Sequence, residues 1–273
     1  MVENNDESWA LERPVAVLDG GLGSYLAVRL IHEKFPDQDI LYLADRASFP
    51  YGTKSRVELF DTVLRALRWL RRYSPSAVVI ASNVPSITVL DDLAKENATP
   101  LIGVLPPVHQ ALEVAGNCEV AVLGAASMIY SEQFVAYLSR EAGDLADHVH
   151  SINASPLIEL VESGEFLLNP KSARNFIAEF ISRVLSACPD IAVFTLSSTH
   201  LAWLRDFLEE ACMGRILLDP LESILPQLAA HSSSGSGRIK CFVTENAQYP
   251  SSAFQEIFHV LGIDVPISVI EID

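Results

Sequence analysis

Short runs of β-forming residues alternate with amphipathic stretches along the whole chain, and this alternation limits the possible folds more than any other feature. The stretch 56–73, for example, places Leu59, Val63, Leu67 and Leu70 on one face of a helix. Strands that alternate with helices build mainly parallel sheets flanked by helices. The predicted fold is therefore α/β, with strands over 15–19, 39–44, 77–81, 100–104, 118–124, 148–153, 191–197, 215–219, 239–244 and 267–272.

Two of these strands run directly into polar residues and then into a predicted helix. The stretches are "AVVIASNVPSI" (77–87) and "IAVFTLSSTHL" (191–201). Open α/β sheets bind ligands at the carboxyl ends of their strands, although Ser, Thr and Asn also cap helices. The polar side chains at these two strand ends are Ser82, Asn83, Ser198, Thr199 and His200.

Two further polar segments are predicted to lie near the same sheet edge. Asp19 ends the first strand and is followed by the glycine-rich turn 20–23, where the GxGxxG spacing of dinucleotide sites is absent. The loop 45–55 contains the rigid segment Pro50-Tyr51-Gly52. Either segment alone could be an ordinary connection. Four polar clusters at the carboxyl ends of strands favour one shared ligand cleft.

Simple catalytic and metal motifs do not account for these clusters. A Ser-His-Asp triad is the first enzyme hypothesis, but neither Ser82 nor Ser198 lies in a G-x-S-x-G turn. The four cysteines are scattered, and no histidine or carboxylate cluster has metal-ligand spacing. We therefore expect reduced thiols, no metal site and no cofactor.

The charge of the chain excludes several kinds of partner. Its 273 residues carry a formal net charge of −16, which disfavours binding to nucleic acid and to anionic membranes. No apolar run approaches the roughly 20 residues that a membrane helix needs. The first residues, "MVENNDESWALERP", lack the pattern of a signal peptide, so a cytoplasmic location is expected.

The motifs at these strand ends resemble those of the aspartate/glutamate racemase family, with the glutamate racemases as the nearest group. The similarity runs from about residue 14 to the end of the chain. The segments that carry it are "LDGGLGSY" (18–25), "PYGTK" (50–54), "ASNVPS" (81–86), "GVLPPV" (103–108) and "LSSTHLAWL" (196–204).

The resemblance implies two pseudo-symmetric α/β domains with the ligand cleft between them. One domain would comprise 14–105 plus 216–273 and the other 106–215, with 1–13 as a polar N-terminal extension. It also implies a small-molecule ligand, an amino acid or related carboxylate, and a possible homodimer. Family members supply D-amino acids of the kind used in cell walls.

The resemblance further implies a cofactor-independent isomerase that acts at the α-carbon of an acidic amino acid or related carboxylate by two-sided proton transfer. In the family, two cysteines on opposite faces of the substrate remove and return the α-proton; Ser82 and Ser198 occupy those positions here. Asp19 would assist the first and His200 the second. Substrate contacts are implied for Gly20, Pro50, Tyr51, Gly52, Asn83, Val84 and Thr199.

The departures from the family pattern bear directly on activity. Replacing a thiol by a hydroxyl raises the intrinsic pKa by roughly 5 units, about 7 kcal/mol against forming the base. Racemisation should therefore be reduced or absent. Gly20, Val84 and Met128 also depart from the family residues, which favours natural divergence and a more apolar pocket.

Three hypotheses follow for the function. The first is a racemase-type isomerase in which Asp19 and His200 act as acid and base, since both side chains ionise in a useful range. The second is a lyase or isomerase of a carboxylic acid that stabilises an enediolate without a thiol pair. The third is a ligand-binding protein that keeps the cleft without turnover.

Overall fold

The strands occur where the sequence predicts them. The computed structural model describes residues 11–272, so most of the predicted N-terminal extension, residues 1–10, lies outside the described residues. All ten predicted strands are confirmed, with ends that differ by at most a few residues. They are β1 (Val15–Asp19), β2 (Ile40–Asp45), β3 (Ala77–Ile80), β4 (Leu101–Gly103), β5 (Glu119–Gly124), β6 (Val149–Asn153), β7 (Ile191–Ser197), β8 (Ile216–Leu218), β9 (Ile239–Thr244) and β10 (Ile267–Val269).

Helices connect the strands, as expected for parallel pairing. The predicted helix over 56–73 forms as an α-helix that ends at Leu70 and continues as a 3-10 turn. The α-helices are α1 (Tyr25–Lys34), α2 (Arg56–Leu70), α3 (Asn83–Thr88), α4 (Leu90–Glu96), α5 (Val108–Ala115), α6 (Ala126–Ile129), α7 (Glu132–Ala142), α8 (Ser155–Glu162), α9 (Glu165–Leu168), α10 (Pro170–Ala187), α11 (Arg205–Ala211), α12 (Ile224–Ala229) and α13 (Ser251–Val260). In the part of the chain that the structure describes, none of these helices is both long and apolar enough to cross a bilayer.

The strands form two parallel sheets, which confirms the α/β fold. The larger sheet has the order β10-β9-β2-β1-β3-β4 and the smaller β6-β5-β7-β8. Every neighbouring pair is parallel. Because β1 and β3 are central in one sheet and β5 and β7 in the other, the carboxyl ends of these four strands are available to form a site between the sheets.

The pairing of β8 differs from the predicted domain boundary. Ile216 pairs with Val193 of β7, so β8 extends the smaller sheet. The prediction placed residues from 216 onward in the other domain. Sheet membership therefore changes after residue 218, because the chain completes a further parallel β-α-β unit before it crosses back. The division of the chain into two domains stays a prediction.

One apolar cluster connects the two sheets beneath the site. It contains Val17 and Val79 of the larger sheet together with Leu123 and Phe194 of the smaller one, all fully buried. Separate clusters cover the outer faces of each sheet. Strands buried on both faces explain why β1 and β3 read as continuous apolar runs in the sequence. The shared cluster holds the strand ends of both sheets in fixed relative positions.

A buried carboxylate fastens the Ser/Gly segment 231–237 to the larger sheet. Asp39, immediately before β2, accepts hydrogen bonds from the backbone N–H and the hydroxyl of Ser236, each at 2.9 Å, and from the N–H of Arg238 at 3.0 Å. Its second oxygen accepts from the N–H of Glu12 at 2.8 Å. Burial acts to raise the pKa of Asp39, but these hydrogen bonds outweigh it and lower the pKa below its ordinary 3.8.

We expect Asp39→Asn to lower the free energy of unfolding by about 2–3 kcal/mol at neutral pH, because an amide cannot accept all four hydrogen bonds. A lowered pKa stabilises the fold fully above 3.8, and this contribution is lost as pH falls through the folded-state value. The difference between wild type and variant should therefore shrink below about pH 4. Urea unfolding at pH 7 and pH 3 measures it, and an equal difference at both pH values would contradict the assignment.

Candidate active site

A single cavity collects nearly all of the residues that the sequence singles out. It has a volume of about 460 Å³ and lies at the carboxyl ends of β1, β3, β5 and β7, so both sheets contribute to it. We call this cavity the cleft. The predicted residues that line it are Asp19, Pro50, Tyr51, Gly52, Ser82, Asn83, Val84, Ser198, Thr199 and His200.

Gly20 is the one predicted site residue that does not line the cleft. A Cβ at this position would lie 3.2 Å from Cε1 of Tyr51, and the Gly20 carbonyl accepts a hydrogen bond from Arg46 Nη1 at 3.3 Å. The absence of a side chain at Gly20 therefore lets the Tyr51 ring pack directly against the backbone of the turn. Tyr51 itself donates through its hydroxyl to Asp45 Oδ2 at 3.3 Å, which fixes the ring against the cleft.

The turn after β1 needs glycine because it lies against His200. A Cβ at Gly23 would be 2.5 Å from the His200 backbone nitrogen. At Gly21 it would be 2.6 Å from His200 Nε2 and 2.8 Å from Glu162 Oε1. Both distances are too short for a real side chain, so only glycine lets this turn, with Asp19 at its start, approach the other wall of the cleft.

A chain of hydrogen bonds runs from Ser198 into the protein. Ser198 Oγ lies 3.3 Å from His200 Nδ1, and His200 Nε2 lies 2.6 Å from Glu162 Oε1. The second oxygen of Glu162 accepts from Arg46 Nη1 at 2.8 Å, and Oε1 also accepts from the N–H of Leu22 at 2.7 Å. The four side chains joined by these hydrogen bonds are largely buried; they are those of Ser198, His200, Glu162 and Arg46.

The carboxylate of Glu162 determines which nitrogen of His200 carries the proton. A carboxylate only accepts hydrogen bonds, so the short contact requires an N–H at Nε2. In the neutral ring Nδ1 then has a free lone pair directed at the Ser198 hydroxyl. Ser198 can therefore pass a proton to His200, and the resulting imidazolium is stabilised by Glu162.

Sequence reasoning did not identify Glu162. It ends α8, 38 positions before His200, in a helix that contains no recognisable motif. Burial alone would raise the pKa of its carboxyl group. The hydrogen bond and charge of His200, with Arg46 and the Leu22 N–H, outweigh burial and lower that pKa to about 2. An isolated acid in an amphipathic helix gives no signal of this kind in one sequence.

Asp19 has the opposite electrostatic environment. Burial raises its pKa to about 6, and this effect outweighs the charge of His200 and the backbone N–H groups of Gly20 and Gly21, which lower it. Its Oδ2 atom is buried and has no hydrogen-bond partner within the described residues. A carboxyl group with a pKa near 6 can both accept and donate a proton close to neutral pH.

The two serines do not serve as helix caps. Ser82 and Ser198 each precede a helical segment, but neither side chain accepts a capping hydrogen bond. Asn83 donates through Nδ2 to the Val104 carbonyl at 2.9 Å, and its buried Oδ1 atom has no hydrogen-bond partner within residues 11–272. The simpler interpretation of these polar residues as caps is therefore wrong.

The rest of the cleft wall combines apolar and polar side chains and includes residues that the sequence did not single out. No lysine or arginine is among the described residues that line it. Among the same residues 11–272, no group of three histidine, cysteine or acidic side chains is arranged to hold a metal ion. The additional lining residues are Phe49, Thr53, Ala125, Ala126, Ser127, Ser155, Ile158, Glu159 and Ser197.

Glu162→Gln tests the buried hydrogen-bond chain. We expect it to lower the free energy of unfolding by about 3 kcal/mol at pH 7, because Arg46 and His200 lose their buried charged partner. The lowered pKa of Glu162 stabilises the fold fully above 4.5, and this contribution is lost as pH falls toward about 2. Chemical unfolding measured over that range should therefore show the wild-type advantage disappearing.

Glu159→Gln is the matched control for this measurement, since Glu159 lies one turn earlier on α8 and is exposed. Its effect on the free energy of unfolding should stay within about 0.5 kcal/mol at every pH. Equal effects of the two substitutions would contradict the role of Glu162.

Comparison with known proteins shows that the chain is similar to glutamate racemases. Glutamate racemase of Ralstonia pickettii is 30% identical over 249 residues, which cover 89% of this chain and 86% of the relative. Glutamate racemase of Persephonella marina is 26% identical over 262 residues, 94% of this chain and 97% of the relative. No protein-family model matches the chain.

Among solved structures, a glutamate racemase isoform from Bacillus anthracis superposes with a TM-score of 0.81 at 21% identity. The superposition covers 95% of this chain and 98% of the other. At this level of identity the likeness confirms the α/β fold with its two parallel sheets and leaves the chemistry to the residues of the cleft.

Proposed function

The chain belongs to the glutamate racemase family, and from this we propose that it is a racemase-type isomerase whose glutamate racemase activity is strongly reduced by its two serines. The observation that carries the proposal is the cleft itself, which receives a hydroxyl from each sheet, Ser82 from the end of β3 and Ser198 from the end of β7. The ligand in this proposal is an α-amino acid or a related carboxylate, held without a cofactor.

The side of the cleft that carries Ser198 has the groups needed for proton transfer. The hydroxyl lies 3.3 Å from His200 Nδ1, and Glu162 holds the opposite nitrogen at 2.6 Å. In the proposed step His200 receives the α-proton, directly or through the Ser198 hydroxyl, and the imidazolium is balanced by Glu162. The hydrogen-bond chain therefore replaces part of the basicity that a thiolate would have supplied.

The face of Ser82 relies on Asp19. Its pKa of about 6 leaves most of the group ionised at pH 7 with a usable protonated fraction. In the proposed step Asp19 returns a proton to the α-carbon on this face. In the reverse direction Asp19 removes the α-proton on this face, and this removal should slow as pH drops below about 6, because protonation removes the base.

The serines limit the rate of this chemistry. A gap of roughly 5 pKa units between hydroxyl and thiol corresponds to about 7 kcal/mol, or about 10⁵-fold in rate, if the hydroxyl itself must be the base. His200 and Asp19 recover part of that loss only if their nitrogen or oxygen reaches the α-proton. Slow exchange of the α-hydrogen, without efficient racemisation, is therefore the expected activity.

The lining of the cleft also restricts the ligand. It offers the polar groups of Asn83 and Thr199 for the α-carboxylate and α-ammonium, but no lysine or arginine among its described lining residues for a second carboxylate. Val84 and Ile158 make part of the remaining wall apolar. This lining supports ligands with a less polar side chain than that of glutamate within the proposed class.

The first test is α-hydrogen exchange in deuterated water with a panel of D- and L-amino acids and 2-hydroxy acids. Deuterium should enter at least one amino acid slowly, and exchange should be lost in His200→Asn. Thermal shifts by the same compounds measure binding independently. Binding without any exchange would overturn the isomerase and favour the ligand-binding alternative.

The second test restores the thiols. We expect Ser82→Cys with Ser198→Cys to accelerate α-hydrogen exchange by about 10³-fold or more, because the thiolates are far easier to form. Each single variant should accelerate exchange from one enantiomer, since each residue faces one side of the α-carbon. Chiral chromatography and mass spectrometry distinguish the products.

Ser127→Cys provides the matched control because it adds a thiol at another position in the lining of the same cleft. It should leave the exchange rate close to that of wild type. An equal gain from Ser127→Cys, or no gain from the double variant despite retained ligand binding, would contradict the roles of Ser82 and Ser198.

A further inference from the structure

A second group of interacting polar side chains lies at the opposite end of the smaller sheet from the cleft. Glu119 is the first residue of β5, whereas the cleft begins after Gly124 at the other end of that strand. Glu119 Oε2 lies 2.8 Å from Nε2 of His150 on β6, and His150 Nδ1 lies 3.5 Å from Sγ of Cys188. Cys188 directly follows α10.

The acceptor role of Glu119 assigns the directions of these contacts. Its carboxylate accepts the N–H at Nε2 of His150, so in the neutral ring Nδ1 is an acceptor. The thiol of Cys188 must then donate its hydrogen to Nδ1. A nucleophile, a base in contact with it and an acid that orients the base form the arrangement that activates nucleophiles in proteins.

The other three cysteines have different surroundings. Burial raises the pKa of Cys212 and of Cys241 to about 12, so these thiols stay protonated and inert. Cys118 is exposed, and no contact with a histidine is seen for it in the described structure. Cys188 is half-buried, and the side chains of His150 and Glu119 beside it are about one-quarter exposed, at 28% and 29%. A reagent can therefore approach the group from solvent.

We propose that Cys188, His150 and Glu119 form a thiol modification site that reacts with small-molecule disulfides. The Cys188 proton passes to His150 Nδ1, and the imidazolium is balanced by Glu119. The thiolate then attacks one sulfur of the disulfide; a new S–S bond forms to Cys188, the original S–S bond breaks and the second half leaves as a thiolate. Cys188 is oxidised to a mixed disulfide and the leaving sulfur is reduced. This site does not depend on the proposed function of the cleft.

The experiment measures how fast each cysteine of the full-length protein reacts with dipyridyl disulfide. Mass spectrometry of peptides from timed samples assigns the modification to each position. Cys188 should react about tenfold faster than Cys118 although Cys118 is more exposed, and Cys212 and Cys241 should react only after unfolding. Faster reaction of Cys118 than of Cys188 would overturn the proposal.

Variants separate activation from simple accessibility. His150→Asn should slow the reaction of Cys188 about tenfold, and Glu119→Gln should slow it several-fold because the imidazolium loses its charge partner. Cys118→Ser should leave the Cys188 rate unchanged. Thermal melts check that each variant is folded, and His150→Gln serves if the asparagine variant is not. An unchanged Cys188 rate in both folded His150 and Glu119 variants would refute activation by this group.

Discussion

The geometry of the cleft depends on the hydrogen bonds of one buried carboxylate, that of Glu162. It receives hydrogen bonds from His200 after β7, from Arg46 after β2 and from the Leu22 backbone in the turn after β1. Three segments from two sheets therefore meet on one side chain at the end of α8. Such a charge is costly to bury without partners, so each of these segments is held in place by the requirement that Glu162 remain paired.

In the proposed function, the two serines change the chemistry of the cleft while its hydrogen-bonded framework stays in place. A hydroxyl and a thiol are similar in size, and the partners of Ser198, namely His200 and through it Glu162, are in place. What changes is the free energy of removing a proton, which differs by about 7 kcal/mol between the two groups. In the proposed function the site is organised for two-sided proton transfer while its intrinsic bases are weak, and His200 and Asp19 are the groups that determine how much exchange remains.

The sequence predicted those parts of the molecule that follow from local pattern. Buried runs such as 15–19 and 191–197 are recognisable because parallel strands covered on both faces are continuously apolar. Ser82 and Ser198 are recognisable because they end such runs. Glu162 and the raised pKa of Asp19 are not, because both arise from contacts between residues far apart in the chain. The membership of β8 in the smaller sheet likewise depends on pairing rather than on its own residues.

The glycine turn after β1 has a consequence for how this protein can vary. Side chains at Gly21 or Gly23 would occupy the space of His200 and Glu162. Substitutions at these two positions would clash with the neighbouring residues, whatever reaction the cleft performs. Ser82 and Ser198 carry no such restriction, since one atom can be exchanged there at nearly constant size. The reactivity of the cleft can therefore change through the side-chain oxygens of Ser82 and Ser198, while the glycine turn after β1 preserves the shape of the pocket.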